Sequence, residues 1–393
     1  MEQNAPRLRF PGFSGEWEKK TLGELFDVTA GGDINKKYCR DRYSPEYPYK
    51  VYANSLQNKG LYGYTNYYKI DKPSITITGR GEIGHAEARH EKYVPIVRLL
   101  TCIPKQNENV DFFALSFNQA KKYQESTGVP QFTAPQAEKT IVSFPSLPEQ
   151  EKIADFFTAL DEKIEAKEKE IEDIKTLKKG FLQQLFPQEG ETVPRLRFPG
   201  FSGKWEKCKI SDNAEIITGG TPSTKISEYW NPPEIPWLSS GEVHKKYIKS
   251  TDAKISKSGL KHSSAQYIKP YSVLIALAGQ GKTRGTVAMN CISLTTNQSI
   301  AAMTFGKKIN SHYALYNLEG RYQELRKISS GGGSRGGLNK TLVGSIVIPC
   351  PSLPEQRKIA DFFTALDEKI EAMEQQRDAL KAMKKGFLQQ MFI

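Results

Sequence analysis

Cysteine is scarce: the 393 residues hold five, Cys39, Cys102, Cys208, Cys291 and Cys350, odd in number, far apart and without a CxxC pair. That spacing argues against a disulfide framework or a clustered zinc site and fits free thiols in a reducing compartment. Long apolar runs are missing too; none approaches the roughly 18–20 residues that span a bilayer. The opening "MEQNAPRLRFPG" has neither the apolar core nor the cleavage site of a secretory signal. A cytoplasmic protein with no membrane contact is the expectation. The five histidines (His85, His90, His244, His262, His312) are scattered, so no His/Cys arrangement suits metal or nucleophilic catalysis. A nuclease-like cluster of paired acids and a lysine is also lacking. What is in surplus is positive charge: 56 Lys and Arg against 44 Asp and Glu, a net +12. A surplus of this size favours a polyanionic partner, most often nucleic acid, although a merely basic soluble protein has the same composition.

The chain is written twice. "RLRFPGFSGEWEK" at 7–19 returns as "RLRFPGFSGKWEK" at 195–207, an offset of 195 − 7 = 188. "PSLPEQEKIADFFTALDEKIEA" at 145–166 returns at 351–372 with one change, an offset of 351 − 145 = 206, and "KKGFLQQLF" at 178–186 returns as "KKGFLQQMF" at 384–392. Between these blocks the two halves are almost unrelated. Two long repeats suit a duplicated domain with an internal pseudo-two-fold axis better than a solenoid. Near-identical ends beside divergent middles suggest that each middle reads something different.

After "PSLPEQ" comes a proline-free stretch with a heptad-like seam. Steps of four and three pick out Ile153, Phe157, Leu160, Ile164, Lys167, Ile171, Ile174, Lys178, Phe181 and Leu185. The second copy gives Ile359, Phe363, Leu366, Ile370, Met373, Arg377, Leu380, Lys384, Phe387 and Met391. Eight of ten positions are apolar in each copy, the pattern of a coiled coil. Pro148, the acidic Glu149 and Ser146 as a cap mark the start. A helix of this length, on the order of 55 Å, has no core of its own. Its natural partner is its duplicate, packed antiparallel; Phe156 and Phe362 beside the seam would widen it for helices of a second protein. A dimerising coiled coil is the alternative.

The middles read as mixed α/β, with strands expected at "SITIT" (74–78), "PIVRLL" (95–100), "SVLIAL" (272–277) and "SIVIP" (345–349). Lys and Arg interleave with tyrosines over 36–69, and 244–262 is similarly basic, a mixture suited to phosphates and base edges, though many tyrosines are expected to be strand residues. "LIALAGQGKTRG" (274–285) looks at first like a nucleotide loop. Such a loop must run into a helix, and "TRGTVA" favours a hairpin instead; the first half has "SITITGRGEIG" with no Lys-Thr pair. A basic hairpin turn is the better reading. "NPPE" (231–234) lacks the aromatic ring of an amino-methyltransferase motif, Glu234 standing in its place. A second glycine-containing loop ends each block before its helix, within "ESTGVPQFTAPQAEKTIVSFPSLPEQ" (125–150) and "SSGGGSRGGLNKTLVGSIVIPCPSLPEQ" (329–356), and serves either as a connector or as a close approach to a ligand.

Taken together, the duplicated order, the openings "FDVTAGG" (26–32) and "AEIITGGTPS" (214–223), the Ser/Thr-Gly loop and "PSLPEQ" entering a long helix resemble the specificity subunit of type I restriction–modification systems. The resemblance covers essentially the whole chain. The first half departs with "GGDIN" for "GGTPS" and "TGVPQ" for a Ser-Gly-Ser-type loop. It implies an α+β protein of two mixed α/β target-recognition domains separated by two long antiparallel coiled-coil helices. The boundaries expected are 1–145 and 204–350 for the domains, 146–187 and 351–393 for the helices, and 188–203 for a linker. Each domain would read one half of a bipartite, asymmetric double-stranded DNA target. The helices would set the gap and dock two modification subunits, joined by restriction subunits. No cofactor is expected on this chain; S-adenosylmethionine, ATP and Mg belong to the partners. Candidate DNA contacts are Lys36, Lys37, Thr78, Arg80 and Gln131 in the first half. In the second they are Thr221, Ser223, Lys225, Ser239, Lys282, Arg284, Ser334 and Arg335. A stand-alone DNA-binding regulator with a dimerising coiled coil is the other reading.

Overall fold

The computed structural model describes residues 5–120, 131–188, 190–279, 283–328 and 337–393. The chain divides into two compact units, 1–168 with 375–393, and 169–374. Each unit therefore owns a recognition block, the start of one long helix and the end of the other.

In the first unit a four-stranded antiparallel sheet runs in the order Phe26–Ala30, Leu100–Pro104, Ser74–Ile77, Ala86–Arg89. Ser74–Ile77 is buried at every position although "SITI" alternates polar and apolar residues. Ser74 pairs with the Tyr93 hydroxyl at 2.8 Å and the Thr76 hydroxyl accepts from Arg89 Nε at 3.0 Å, which satisfies the polar face. The helix Val110–Gln119 shares its core, with Asn109 capping it by accepting the Phe112 N–H at 2.9 Å. A smaller sheet, Cys39–Arg40, Leu61–Thr65, Tyr49–Tyr52, Tyr93–Pro95, takes up much of the tyrosine-rich stretch as strand residues.

The second unit repeats the larger sheet as Ala214–Thr218, Ile300–Phe305, Val273–Ala276, Val287–Asn290 and adds Tyr247–Ile248, joined parallel. Its capped helix is Ser311–Gly320, with Asn310 accepting the Tyr313 N–H. In both units a two-stranded ribbon joins the ends of the block: Glu18–Thr21 with Ile141–Phe144, and Glu206–Lys209 with Val347–Cys350. The mixed α/β blocks are as read from the sequence, with one correction. "PIVRLL" is not a strand: one strand ends at Pro95, the next begins at Leu100, and Val97 and Arg98 form a left-handed turn between them.

The long helices are Leu147–Gln184 and Leu353–Met391. Within the first unit Asp161 pairs with Lys384 and Glu168 with Lys381; within the second, Lys175 pairs with Glu374 and Lys178 with Asp367. One residue number rises as its partner's falls, so the helices run antiparallel in each unit. Ile153, Phe157, Leu160 and Ile164 are buried in the first unit and Ile171, Ile359, Phe363 and Ile370 in the second, while Ile174, Leu366 and Leu380 are half-buried. Phe156 and Phe362 are half-buried within the chain itself. Phe156 packs edge-on against Phe10 and Phe387, and Phe362 against Phe198 and Phe181, so the repeated "RLRFPG" arms cover them.

The same arms explain the acid of "PEQ". Arg9 grips both carboxylate oxygens of Glu149 at 2.6 Å, and Arg197 grips Glu355 at 2.7 and 2.9 Å. Both glutamates stand in the first turn of their helices, as read from the sequence, and being buried they also face an arginine. The glutamine has its own duty. Gln150 accepts the Asn109 N–H and donates to the Pro145 carbonyl; Gln356 does the same to Asn310 and Pro351.

A half-buried polar network, centred on the buried Lys178, fastens the second recognition block to its helices. Asp367 accepts from Lys178 and Lys246 at 2.6 Å and from the Tyr316 hydroxyl at 2.9 Å, and Glu319 bridges the same two lysines. Burial alone would raise the Asp367 carboxyl, but Lys246 and Lys178 hold it below its ordinary value. Burial wins at Lys246, whose ammonium is shifted down. Part of the basic stretch 244–262 thus points at the long helices rather than outward. Lys249 pairs with Glu371, and Lys245 with Glu242 and Asp252.

Candidate nucleic-acid interface

The glycine pair of each block makes a flat seat. In the first unit Gly31 donates to the Leu99 carbonyl, while Arg98 and Val97 donate back to Gly31 and Gly32, all at 2.8–3.0 Å. A Cβ on Gly31 would stand 2.6 Å from the Pro95 carbonyl oxygen, so only glycine permits the approach. The seat holds Val97 at φ 53° and Arg98 at φ 60°. Left-handed backbone is uncommon for any side chain and least suited to a β-branched one, at a cost on the order of 1–3 kcal/mol per residue. The neighbours impose it, and it leaves Val97 45% exposed with Arg98 beside it.

Three other loops meet this turn. Asn54 donates to the Val97 carbonyl at 2.5 Å and accepts the Gly79 N–H at 2.7 Å. Phe132 donates to the Gly79 carbonyl at 2.9 Å, which brings Gln131 to the same place. A 550 Å³ hollow beside them is lined by Asn54, Gln57, Thr78, Arg80 and Glu82 among others. The Arg80 Nε is buried there with no hydrogen-bond partner among the described residues. Segments 54–57, 78–82, 97–98 and 131–132 thus form one cluster with two arginines and two glutamines. Such groups can donate to guanine O6 and N7 or pair with adenine N6 and N7.

The second unit repeats the plan. Gly220 donates to the Thr296 carbonyl at 2.8 Å, and a Cβ on Gly219 would collide with that residue. Asn297 donates to Leu238, the Ser299 N–H is received by the Asn297 side chain, and the tip residue Gln298 is exposed. The Thr221 hydroxyl donates to Gln298 Oε1 at 2.6 Å. Leu277, at the end of the hairpin strand, donates to Ser299 and accepts from Leu338, where the last loop arrives. The stretch "LIALAGQGKTRG" is not a phosphate loop: Val287–Asn290 is a strand paired antiparallel with Val273–Ala276, where a phosphate loop needs a helix.

Of the residues singled out from sequence, Arg80 and Gln131 fall in the first cluster and Thr221 in the second. Lys36 and Lys37 are exposed on a short 3₁₀ turn, Lys36–Tyr38, close to Arg40, whose guanidinium lies over the Tyr47 ring at 4.5 Å. Ser223 and Lys225 are exposed on the loop after the second glycine pair, and Arg284 is half-buried on the returning side of the hairpin. Two assignments need correcting. The Thr78 hydroxyl is buried, donating to the Glu82 carbonyl and accepting from His85, so it closes the hairpin turn. Ser239 caps a 3₁₀ helix, Ser240–Lys245, in a capping box with Glu242. Lys282, Ser334 and Arg335 lie outside the described residues. Asn54, Gln57, Arg98 and Gln298 carry no signal in the sequence. They sit in the unrepeated middles, and only the chain's closure brings them to the glycine seats. Among the described residues no cluster of three His, Cys, Asp or Glu could hold a metal, and no helix is long and apolar enough to cross a membrane.

Comparison with known proteins agrees with this duplication. The model of the type I restriction modification DNA specificity domain matches twice, at residues 14–176 and 202–382. The MjaIX specificity subunit of Methanocaldococcus jannaschii is 30% identical over 193 residues, 48% of this chain and 44% of that relative. The chain thus spans less than half of that relative's length. A putative MjaX specificity subunit of the same organism is 24% identical over 421 residues, 98% of this chain and 95% of that one. The crystal structure of an S subunit from M. genitalium superposes with a TM-score of 0.67 at 15% identity, covering 99% of each chain. At that identity the likeness speaks for the fold.

Proposed function

This chain belongs to the type I restriction modification DNA specificity family, and on that premise we propose that it is the DNA-reading subunit of a type I restriction–modification complex. Each recognition block reads one half of a bipartite, asymmetric DNA site. The observation that carries this reading is the four-loop cluster on a glycine seat, which occurs once per unit with different side chains. A common scaffold with divergent polar tips is what two unlike half-sites demand. The net charge of +12 supplies the phosphate attraction.

The chain itself carries no catalysis in this reading. Two modification subunits dock on the long helices and bring S-adenosylmethionine to methylate adenine, and restriction subunits add ATP- and Mg-dependent translocation and cleavage. The helices set the gap between half-sites, and the complex works in the cytoplasm.

The test is to express the chain with its modification subunit and map methylated adenines across the genome. A two-part motif with a fixed gap is expected. Exchanging residues 204–350 for another block of the family should alter one half of the motif only. A change in both halves would refute the modular reading, and specific binding by the isolated chain with no affinity for modification subunits would favour a regulator.

A further inference from the structure

The turn on the glycine seat occupies the same register position in both units. It is left-handed at Val97 and Arg98 in the first and without a left-handed residue in the second, and its tip differs in a coordinated way. Gly31 and Gly219 occupy equivalent places, each facing a carbonyl three residues before the second tip residue: Pro95 before Arg98, and Thr296 before Ser299. The tips are therefore Val97–Arg98 and Gln298–Ser299. The residue following each glycine pair differs too, Asp33 in the first unit and Thr221 in the second. Where the tip is an amide, the seat supplies a hydroxyl that holds it. Where the tip is valine, which has nothing to hold, the hydroxyl is gone.

We infer that these tips are specificity-determining elements. Gln298, positioned by Thr221, reads an adenine in the second half-site, and Arg98 reads a guanine in the first. This rests on the DNA-reading function proposed above. The argument is geometric and chemical. The Thr221 hydroxyl donates to Gln298 Oε1, which fixes the amide plane. One Oε1 lone pair and both Nε2 hydrogens remain for an outside partner. That is the acceptor and donor pair that matches adenine N6 and N7. The side chain is exposed while its backbone is anchored by the Gly220 and Asn297 hydrogen bonds, so binding freezes little that is not already fixed. On the other tip, Arg98 is exposed on backbone that Gly31, Gly32 and Asn54 hold left-handed. Its fork of donors matches guanine O6 and N7. Thr221 is a positioning residue: it reaches the base only through Gln298.

The test uses the full chain assembled with its modification subunit, with the methylated motif as readout. Gln298→Ala should relax one adenine position of the second half-site, lowering discrimination there by about 5- to 150-fold. It should leave the first half-site, the gap and assembly unchanged. Gln298→Glu, which keeps shape but only accepts, should move preference at that position toward cytosine. Thr221→Val should weaken discrimination at the same position and nowhere else, an effect a purely structural role would not confine. Arg98→Ala should relax one guanine position of the first half-site. The inference is overturned if all positions survive Gln298→Ala and Arg98→Ala. It is equally overturned if the losses spread over both half-sites or if every variant loses assembly. A wild-type complex that methylates no defined two-part motif would instead overturn the proposed function, a separate result.

Discussion

Lys178 and Asp367 meet at 2.6 Å in the second unit, and their duplicates Lys384 and Asp161 meet at 2.5 and 2.6 Å in the first, yet the two pairs live in different surroundings. The Lys178 and Asp367 side chains are 9% and 13% exposed; Lys384 and Asp161 are 24% and 43% exposed. Around Asp367 stand Lys246, Tyr316 and, through the lysines, Glu319. Asp367→Ala leaves the buried Lys178 and the half-buried Lys246 to share a single acid, and losing one partner of such a network costs up to about 3–5 kcal/mol. Asp161→Ala breaks a solvent-screened pair, worth about 0–1 kcal/mol. Denaturant titration followed by tryptophan fluorescence should show the gap, since Trp205, Trp230 and Trp237 report on the second unit. Equal losses would contradict the network's role.

The same carboxylate predicts a pH dependence. Its folded pKa lies below the unfolded value, because Lys246 and Lys178 outweigh burial. Its contribution is therefore complete above the unfolded value of about 3.9 and disappears as pH falls through the lower folded value. The stability difference between wild type and Asp367→Asn should be constant from neutral pH down to about pH 5 and shrink below about pH 4. A difference that grew on acidification would have the wrong sign.

How much of the molecule is legible in its sequence depends on where the information sits. Ile153, Phe157, Ile359 and Phe363 are legible as buried because the apolar seam is written as a local period, although each also joins the core of its recognition block, which the period does not show. The Arg9–Glu149 pair is hinted at, since both residues fall in the repeated blocks, but nothing local joins positions 140 apart. "PIVRLL" misleads because its β-branched residues signal a strand, while the glycine seat forces Val97 and Arg98 into left-handed backbone. Thr78 and Ser239 have the right chemistry for DNA, but short-range hydrogen bonds claim their hydroxyls. Gln298 is hidden for the opposite reason: its partner Thr221 is 77 residues away.

The second glycine seat should be the less forgiving of the two. A Cβ on Gly219 meets the Thr296 carbonyl and side chain closer than any contact can stand, whereas on Gly31 it meets Pro95 at 2.6 Å. In both cases the obstacle is backbone that sheet hydrogen bonds hold in place. Gly219→Ala should displace the Gln298 turn and cost on the order of 2–3 kcal/mol, with loss of second half-site discrimination while the first half-site is still read. Competition binding with oligonucleotides varied one half at a time would check it. Retained discrimination in both halves would mean that the turn does not depend on its seat.

The arginine of each repeated arm does more than neutralise an acid. Arg197 grips Glu355 through two nitrogens and also donates to the carbonyls of Gly203 and Ser202 at 2.7 and 2.8 Å. The arm is thereby folded over the start of the second long helix, where Phe198 covers Phe362. Arg197→Ala leaves a glutamate that is only 2% exposed without its cation, a loss on the order of 3 kcal/mol or more. Arg197→Lys restores the charge, but a single ammonium cannot reproduce a planar fork shared among four oxygens. The expected order of stability is wild type, then Lys, then Ala, with limited proteolysis cutting first within residues 193–204 in both variants. A swap of Arg197→Glu with Glu355→Arg should not restore stability, because the two carbonyls would then face a carboxylate. Full recovery by that swap would reduce the contact to charge alone.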